Sequence, residues 1–299
     1  MPDGILNLDK PRGPTSHDVV ARVRALTGIR RVGHAGTLDP LATGVLLVCV
    51  GRATRVAEYL MAGQKVYRAH VRLGITTDTY DAEGQVVAEA PVEVNRAQVE
   101  ASLAQFRGQI AQLPPMYSAV KHKGTPLYRL ARRGAEVHRE PRQVEIFRLE
   151  LTAWEPPECT LEMTCSPGTY VRALAHDLGQ ALGCGAHVSG LIRLASGDFC
   201  LEDTVTLDEL AQAAAKGCWP DLLHPIDVAL TRFPALHLLD ADAARRLCSG
   251  QMIANDEWRG ADLARVYGPD GGFLALAMYD QATGLWQPRK VFRSLEDLF

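Results

Sequence analysis

The stretch Gly33-His34-Ala35-Gly36-Thr37-Leu38-Asp39-Pro40-Leu41-Ala42-Thr43-Gly44 runs without a break into Val45-Leu46-Leu47-Val48-Cys49-Val50 and Gly51. Its glycines and proline let the backbone turn sharply and come close to a ligand. Six apolar residues bounded by glycines predict a strand buried on both faces. Asp39 is thereby an acid in an irregular loop at the mouth of a buried strand. Turn chemistry alone leaves two roles open for it: a cap for the turn before Pro40, or a group that reacts.

Upstream, Ile5-Leu6-Asn7-Leu8 alternates as a short strand and stops at Asp9-Lys10-Pro11-Arg12-Gly13-Pro14, a turn carrying two cations. Thr15-Ser16-His17-Asp18 supplies N-cap candidates for a helix with the stripe Val19, Val20, Val23 and Leu26, ending near Gly28. Arg22, Arg24, Arg30 and Arg31 add positive charge, which on a helix face is ordinarily solvated. Downstream, Ala53 to Met61 predicts a short helix. Residues 65–74 predict a half-buried strand with Tyr67, Ala69, Val71 and Leu73 facing inward. An inward tyrosine needs a partner for its hydroxyl, which an ordinary core site also supplies. Thr76 to Gly84 predicts a polar turn holding Asp78, Asp81 and Glu83.

Val94 to Phe106 predicts a helix, followed by Pro114-Pro115-Met116-Tyr117-Ser118-Ala119-Val120-Lys121. From 121 to 142 seven cations (Lys121, Lys123, Arg129, Arg132, Arg133, Arg139 and Arg142) stand against two acids (Glu136 and Glu140), with Tyr117 and Tyr128 interleaved. A one-sided basic segment with aromatics suits a phosphate backbone better than a small ligand. Residues 144–151 and 160–165 predict strands, and Thr169 is the candidate N-cap of a helix with the stripe Val171, Leu174, Ala175, Leu178 and Leu182. Arg172 falls in its first turn, where a cation opposes the helix dipole and calls for an anionic partner. Cys184-Gly185-Ala186-His187 has no second Cys/His pair nearby and is read as structural. From 200 to 262 eleven acids outweigh five cations, and Pro220, Pro225 and Pro234 punctuate the chain. A boundary near residue 235 therefore separates residues 1–235 from a small β-rich module, 236–299.

The 299 residues suffice for one large domain and a smaller one, and 47% hydrophobic with 22% charged content is that of a soluble globular chain. No stretch approaches a membrane span, and Met1-Pro2-Asp3-Gly4 does not open a signal peptide. Seven scattered cysteines without a Cys-x-x-Cys pair argue against zinc and disulfides and for a reducing cytoplasm. Phosphate-binding glycine loops, a serine elbow and His-Glu-x-x-His are absent from the sequence, so no nucleotide cofactor and no metal are expected.

With these residues in view, the twelve from Gly33 to Gly44 resemble the catalytic motif of the TruB-type pseudouridine synthases, and the similarity covers nearly the whole chain. Asp9-Lys10-Pro11-Arg12-Gly13-Pro14-Thr15-Ser16 matches the family's opening motif, and Lys65-Val66-Tyr67-Arg68 its tyrosine strand. Residues 114–121 match the start of its RNA-gripping insertion (about 114–142), and Gly168-Thr169-Tyr170-Val171-Arg172 with Asp177-Leu178-Gly179 its arginine motif. The resemblance implies an α+β fold, a mixed, largely antiparallel central sheet with flanking helices in 1–235, followed by a PUA-like RNA-binding domain in 236–299. It implies an enzyme that isomerises uridine to pseudouridine at position 55, in the T-loop of tRNA, after flipping the base out. Asp39 is then the nucleophile, Tyr67 stacks on the uracil and takes the C5 proton, and Arg172 pairs with the Asp39 carboxylate. His34, Tyr170 and Leu191 match substrate-contact positions, with Lys10 supporting the first motif. Lys121, Lys123, Arg129, Arg132 and Arg133 are the expected RNA contacts. Pro167 stands where a basic residue is common in the family, and Ile192 where many members carry arginine. The implied partner is tRNA through its T-arm, with no cofactor, no membrane and no obligatory protein partner, the enzyme being a cytoplasmic monomer.

Moving C1′ from uracil N1 to C5 involves no net oxidation or hydrolysis. It calls for a nucleophile, a surface that holds the detached base, and exclusion of water. A desolvated carboxylate, an aromatic and a closed pocket answer those needs; the sequence leaves open whether Asp39 attacks C1′, attacks C6 or removes a sugar proton. An adjacent arginine is expected to hold the Asp39 pKa down by roughly one to three units. Three rival readings are a non-catalytic RNA-binding or tRNA-folding protein on this scaffold, a synthase with another RNA target, and a hydrolase using Asp39 and Asp81. Binding alone needs no acid beside phosphates, and a hydrolase of that kind lacks a water-activating histidine arrangement.

Overall fold

The apolar run after Gly44 becomes a strand in the middle of two cores, and the chain is layered around it. The computed structural model describes residues 2–118, 120–131, 133–135, 137–255 and 262–295. Its first half runs β1 (Gly4–Lys10), α1 (Ser16–Thr27), β2 (Val32–His34), β3 (Thr43–Val50), α2 (Ala57–Met61), β4 (Lys65–Leu73), β5 (Ile75–Thr77), β6 (Val86–Glu89), α3 (Arg96–Leu103) and β7 (Gly108–Gln112). There follow β8 (Lys121–His122), β9 (Thr125–Pro126), α4 (Leu127–Ala131), β10 (Arg142–Glu155), β11 (Glu158–Cys165), α5 (Val171–Leu182), β12 (Ala186–Ser196), β13 (Phe199–Cys200) and α6 (Leu207–Ala215). The chain closes with β14 (Ala235–His237), α7 (Ala241–Cys248), β15 (Leu263–Tyr267), β16 (Phe273–Asp280) and β17 (Leu285–Val291).

Among the described residues the main sheet has nine strands, in the order β1-β3-β12-β4-β11-β10-β7, with β2 beside β3 and β13 beside β12. Only β3 and β12 run parallel; the other pairings are antiparallel. This is the mixed, largely antiparallel sheet expected. Alternate residues of β3 serve different cores. Leu46, Val48 and Val50 pack with Val19 and Val23 of α1, Leu174 and Leu178 of α5 and Leu210 of α6. Val45, Leu47 and Cys49 pack on the other side with Ile5, Ala53, Leu60, Leu276 and Phe292. Burial on both faces is why the run carries no polar residue.

Strand β4 alternates as predicted, with Tyr67, Ala69, Val71 and Leu73 buried. Helix α5 lies close against the start of β12, because a Cβ at Gly179 would fall on the Ala186 nitrogen. A second sheet, β14-β15-β16-β17, closes over its own core with α7. It is fixed to the main body through Leu276 and Phe292, through Arg52 and Arg55, which donate to the Phe292 and Val291 carbonyls, and through Lys290, which donates to the Arg55 carbonyl.

Several expectations need correcting. The helix expected over Ala53–Met61 is a 3-10 segment, Gly51–Val56, before the short α2. The helix expected over Val94–Phe106 is α3, capped by the Asn95 side chain, with a 3-10 turn to Phe106. Thr169 does not cap α5; its hydroxyl donates to the Ser166 carbonyl at 2.9 Å, and the N-cap residue is Tyr170, without a side-chain cap. The largest omission is β12, at the centre of the sheet between β3 and β4. Within the basic segment the described residues form the β8–β9 hairpin and α4.

Candidate active site

The Asp39 loop is held from four directions. Lys10, fully buried at the end of β1, donates from Nζ to the carbonyls of Pro40 (3.2 Å), Ala42 (2.7 Å) and Pro11 (3.0 Å). Ser16, in the first turn of α1, donates from Oγ to the Leu38 carbonyl at 3.0 Å and accepts from the Leu38 amide at 2.9 Å. The Gly13 amide donates to the Pro40 carbonyl at 2.9 Å. From β12, Arg193 donates to the carbonyls of Val45 (Nε, 2.6 Å) and Gly36 (Nη2, 3.2 Å). Gly44, at φ +95°, allows β3 to approach β12 so closely that a Cβ would fall on the Arg193 carbonyl oxygen. The turn role of Asp39 is present too, since its carbonyl accepts from the Ala42 amide at 3.1 Å.

On this platform the Asp39 carboxylate meets Arg172, which rises from the first turn of α5. Nη2 donates to Oδ1 at 3.2 Å; Nε lies 2.9 Å from Oδ2 as an ion pair, out of line for a hydrogen bond. The guanidinium has further partners: Nη1 donates to Asp81 Oδ2 (3.1 Å) and the Thr79 carbonyl (2.9 Å), and Nη2 to the Tyr117 carbonyl (2.7 Å). The anion that Arg172 required is therefore a pair of anions. Asp81 is itself fixed, its Oδ1 accepting from Thr79 Oγ1 at 2.6 Å and the Glu83 amide at 3.1 Å.

Burial pushes the Asp39 carboxyl up, Arg172 pulls it down, and Asp81 pushes it up again, leaving it above its ordinary value. The expectation that Arg172 would set a low pKa is thus corrected: one guanidinium is divided between two carboxylates, and burial works against it. With 36% of the Asp39 side chain still exposed to the open mouth, the effect of burial is complete only once the mouth is covered. Desolvation of Lys10 brings its ammonium down to about 8, against the attraction of Asp39.

Asp39, Arg172, Tyr67, Tyr170, Leu191, Lys65, Arg193 and Ser118 line one cavity of about 300 Å³. The buried Tyr67 hydroxyl is pushed above its ordinary value of 10 by desolvation. Tyr170 is placed by Gln112, whose amide group donates to the Tyr170 carbonyl at 2.9 Å and accepts from its amide at 2.7 Å. Lys65 donates to the carbonyls of Leu60 (3.1 Å) and Gly63 (2.9 Å), and burial lowers its pKa to about 8.

Other expected residues lie apart from this cavity. His34, on β2, stands edge-on to His17 with ring centroids 5.3 Å apart, and burial lowers its pKa. Lys121, Lys123, Arg129 and Arg133 are exposed around the hairpin and α4, while Arg132 lies outside the described residues. Ile192 is half-buried opposite Thr43. Sequence reasoning missed Arg193 and Lys65 as cavity residues, and saw Asp81 as a polar-turn acid and as half of the rival acid pair with Asp39, not as a partner of Arg172. Its signal was the Thr-x-Asp spacing of Thr79 and Asp81, which suits a side-chain-closed turn. With Asp81 bound to Arg172, the two acids do not form a free pair for activating water.

Residues 24–171 match the TruB family pseudouridylate synthase (N terminal domain), and residues 172–231 match the tRNA pseudouridylate synthase B C-terminal domain. The chain is 47% identical over 294 residues to tRNA pseudouridine synthase B of Stutzerimonas stutzeri, covering 97% of this chain and 96% of the relative. It is 49% identical over 285 residues to the protein of the same name from Syntrophotalea carbinolica, covering 93% and 92%. Among solved structures it resembles a chain of a Cbf5-Nop10-Gar1 complex (TM-score 0.75, 27% identity, 99% of this chain and 86% of that one). A chain of the archaeal box H/ACA sRNP Nop10-Cbf5 complex is similar at TM-score 0.74 and 25% identity, over 99% and 88%. Likeness of this extent, along nearly the whole of both chains, means that this chain belongs to the TruB family of pseudouridylate synthases.

Proposed function

We propose that this protein isomerises uridine to pseudouridine at position 55, in the T-loop of tRNA, with Asp39 as the nucleophile. The observation that carries this reading is that Asp39, gripped by Arg172, shares one cavity with the buried Tyr67. Relatives named tRNA pseudouridine synthase B support tRNA as the substrate. Arg172 orients the carboxylate and keeps it paired in a site that must exclude water while the base is detached. Tyr67 and Leu191 form apolar walls for the turning uracil, and the Tyr67 hydroxyl takes the C5 proton. Tyr170 and His34 contact the flipped nucleotide and its surroundings. The exposed cations Lys121, Lys123, Arg129 and Arg133, with Arg132, grip the phosphates of the T-arm, offsetting an unstacking cost of a few kcal/mol, in rough terms. A PUA-like RNA-binding domain over 236–299 follows a catalytic domain over 1–235, a reading that the second sheet with its own core supports. The enzyme acts in the cytoplasm as a monomer without an obligatory protein partner.

The test is Asp39→Asn assayed by release of tritium from tRNA labelled at uridine C5, beside tRNA binding. Binding is expected to persist and release to stop. Near-normal turnover by the variant would sink the assignment.

A further inference from the structure

Arg193 anchors the Asp39 loop, yet two backbone oxygens do not account for it. The side chain is 1% exposed, and among the described residues no carboxylate pairs with it. A buried guanidinium without a counter-ion is costly, and carbonyl oxygens can be served by neutral donors. Its charge reaches the whole site, making Lys10, His34 and Lys65 each easier to deprotonate. Nε and Nη2 are engaged with Val45 and Gly36, which leaves N–H donors on Nη1. In the β12–β4 ladder Arg193 is directly opposite Tyr67, so both side chains leave the same face of the sheet. Both line the cavity with Asp39, and the Tyr67 hydroxyl lies within hydrogen-bonding reach of the guanidinium.

The chemistry supplies the missing anion. When the C1′–N1 bond breaks, its electron pair remains on N1 of the base. When the C5–C1′ bond forms, C5 must lose its hydrogen, and the product carries a hydrogen on N1. A neutral phenol cannot accept the C5 proton until it has given up its own. We propose that Arg193 is a positioning residue for Tyr67, pairing with its oxygen as a phenolate between two proton transfers. The Tyr67 phenol gives its proton to N1 of the detached base, the phenolate is held against the guanidinium, and the phenolate then takes the C5 proton and is a phenol again. One proton leaves Tyr67 and one returns; the original C5 hydrogen ends on the hydroxyl and exchanges with water. This rests on the reading of Tyr67 as the acceptor of the C5 proton.

The experiment is single-turnover conversion of tRNA carrying protium or deuterium at C5 of the target uridine, using the full chain. The variants are Arg193→Met, Arg193→Lys, Tyr67→Phe and the double variant Arg193→Met/Tyr67→Phe. Arg193→Met is expected to slow conversion roughly 100-fold or more, with tRNA affinity kept and a C5 isotope effect larger than that of the unaltered enzyme. Arg193→Lys is expected to fall between the two in rate and in isotope effect. In the Tyr67→Phe background, Arg193→Met is expected to add little further loss. A residue that merely anchors the loop would slow conversion by the same factor in both backgrounds and leave the isotope effect unchanged, and that result overturns the proposal. Should Arg193→Met fail to fold, Arg193→Lys decides: a slowed rate with an unchanged isotope effect is again fatal. If Tyr67→Phe loses its C5 hydrogen at the unaltered rate, the acceptor role of Tyr67 fails first and the proposal with it.

Discussion

Asp39 and Asp81 share one guanidinium, Arg172 reaching Asp39 Oδ1 at 3.2 Å through Nη2 and Asp81 Oδ2 at 3.1 Å through Nη1. Removing the charge of Asp81 has two separable effects. The carboxylate that pushes Asp39 upward is gone, so the Asp39 pKa falls. The guanidinium also keeps at most a neutral acceptor there, and a hydrogen bond between charged groups contributes about 1.5–3 kcal/mol. Asp81→Asn should therefore lower kcat at neutral pH about 10- to 100-fold while moving the acid limb of the pH–rate profile to lower pH. Unchanged kcat together with an unmoved limb would refute this. Arg172→Met leaves the buried Asp81 and the partly exposed Asp39 without their cation and should lower the unfolding free energy by roughly 3–5 kcal/mol in urea titration.

Lys10 gives a pH test of the loop's support. Its folded-state pKa, about 8, lies below the ordinary 10.5. Between these values the unfolded chain holds a proton that the folded chain has released, so this group makes stability rise with pH across that window and contributes no slope below it. The buried Cys49 and Cys159, pushed up to about 12, act in the opposite sense at high pH, so the informative quantity is a difference between proteins. Relative to Lys10→Met, the unaltered chain should gain stability from pH 7.5 to pH 9.5 in urea unfolding. Parallel pH slopes for the two would contradict the buried-lysine account.

Glycine is required at Gly179 by crowding rather than by backbone angle, since a side chain there would meet the start of β12. Gly179→Ala should cost about 1–3 kcal/mol of stability, as overpacking does elsewhere. It should also reduce activity at temperatures where the fold persists, because α5 carries Arg172 and β12 carries Arg193. Thermal melts and initial rates on one preparation measure both; an unshifted melting temperature counts against the packing argument.

The basic hairpin is testable through salt. Reversing charge at Lys121, Lys123 and Arg133 should weaken tRNA binding and flatten the dependence of log Kd on log salt by about 0.7–0.9 for each phosphate no longer neutralised. The rate under single-turnover saturation should change little. An unaltered salt slope removes the segment from the interface.

What could be read in the sequence was what local chemistry determines. Strand β3 announced itself because burial on both faces leaves an unbroken apolar run. Arg172 announced its need for an anion because a cation in the first turn of a helix works against the dipole. Strand β12 did not, although it sits mid-sheet. Its ladder with β4 slips at Val188/Gly190 and again at Arg193/Ala195, so the two-residue alternation that marks a strand is broken twice. The pairing of Asp81 with Arg172 was hidden for a different reason. Its partner Arg172 is 91 residues away, and a turn rich in acids looks solvated until a distant helix is laid over it. The apolar faces and the Asp39 loop were therefore legible, whereas the buried charges tying loop to loop depended on tertiary contacts.

The shared cluster in which Ile5, Val45 and Leu47 meet Leu276 and Phe292 bears on how the protein is made. A ribosome delivers the chain from its N-terminal end, so β1 and β3 emerge well before Leu276 and Phe292, the side chains that complete this cluster. Until they arrive, Ala53, Leu60, Phe199 and Leu230 cover only part of this face of β1 and β3, and the rest is an apolar surface open to association with other unfinished chains. The core beneath β1 and β3 is thus completed only when β16 and Phe292 are in place, and nascent chains that stall before β16 should be more aggregation-prone than chains that carry it.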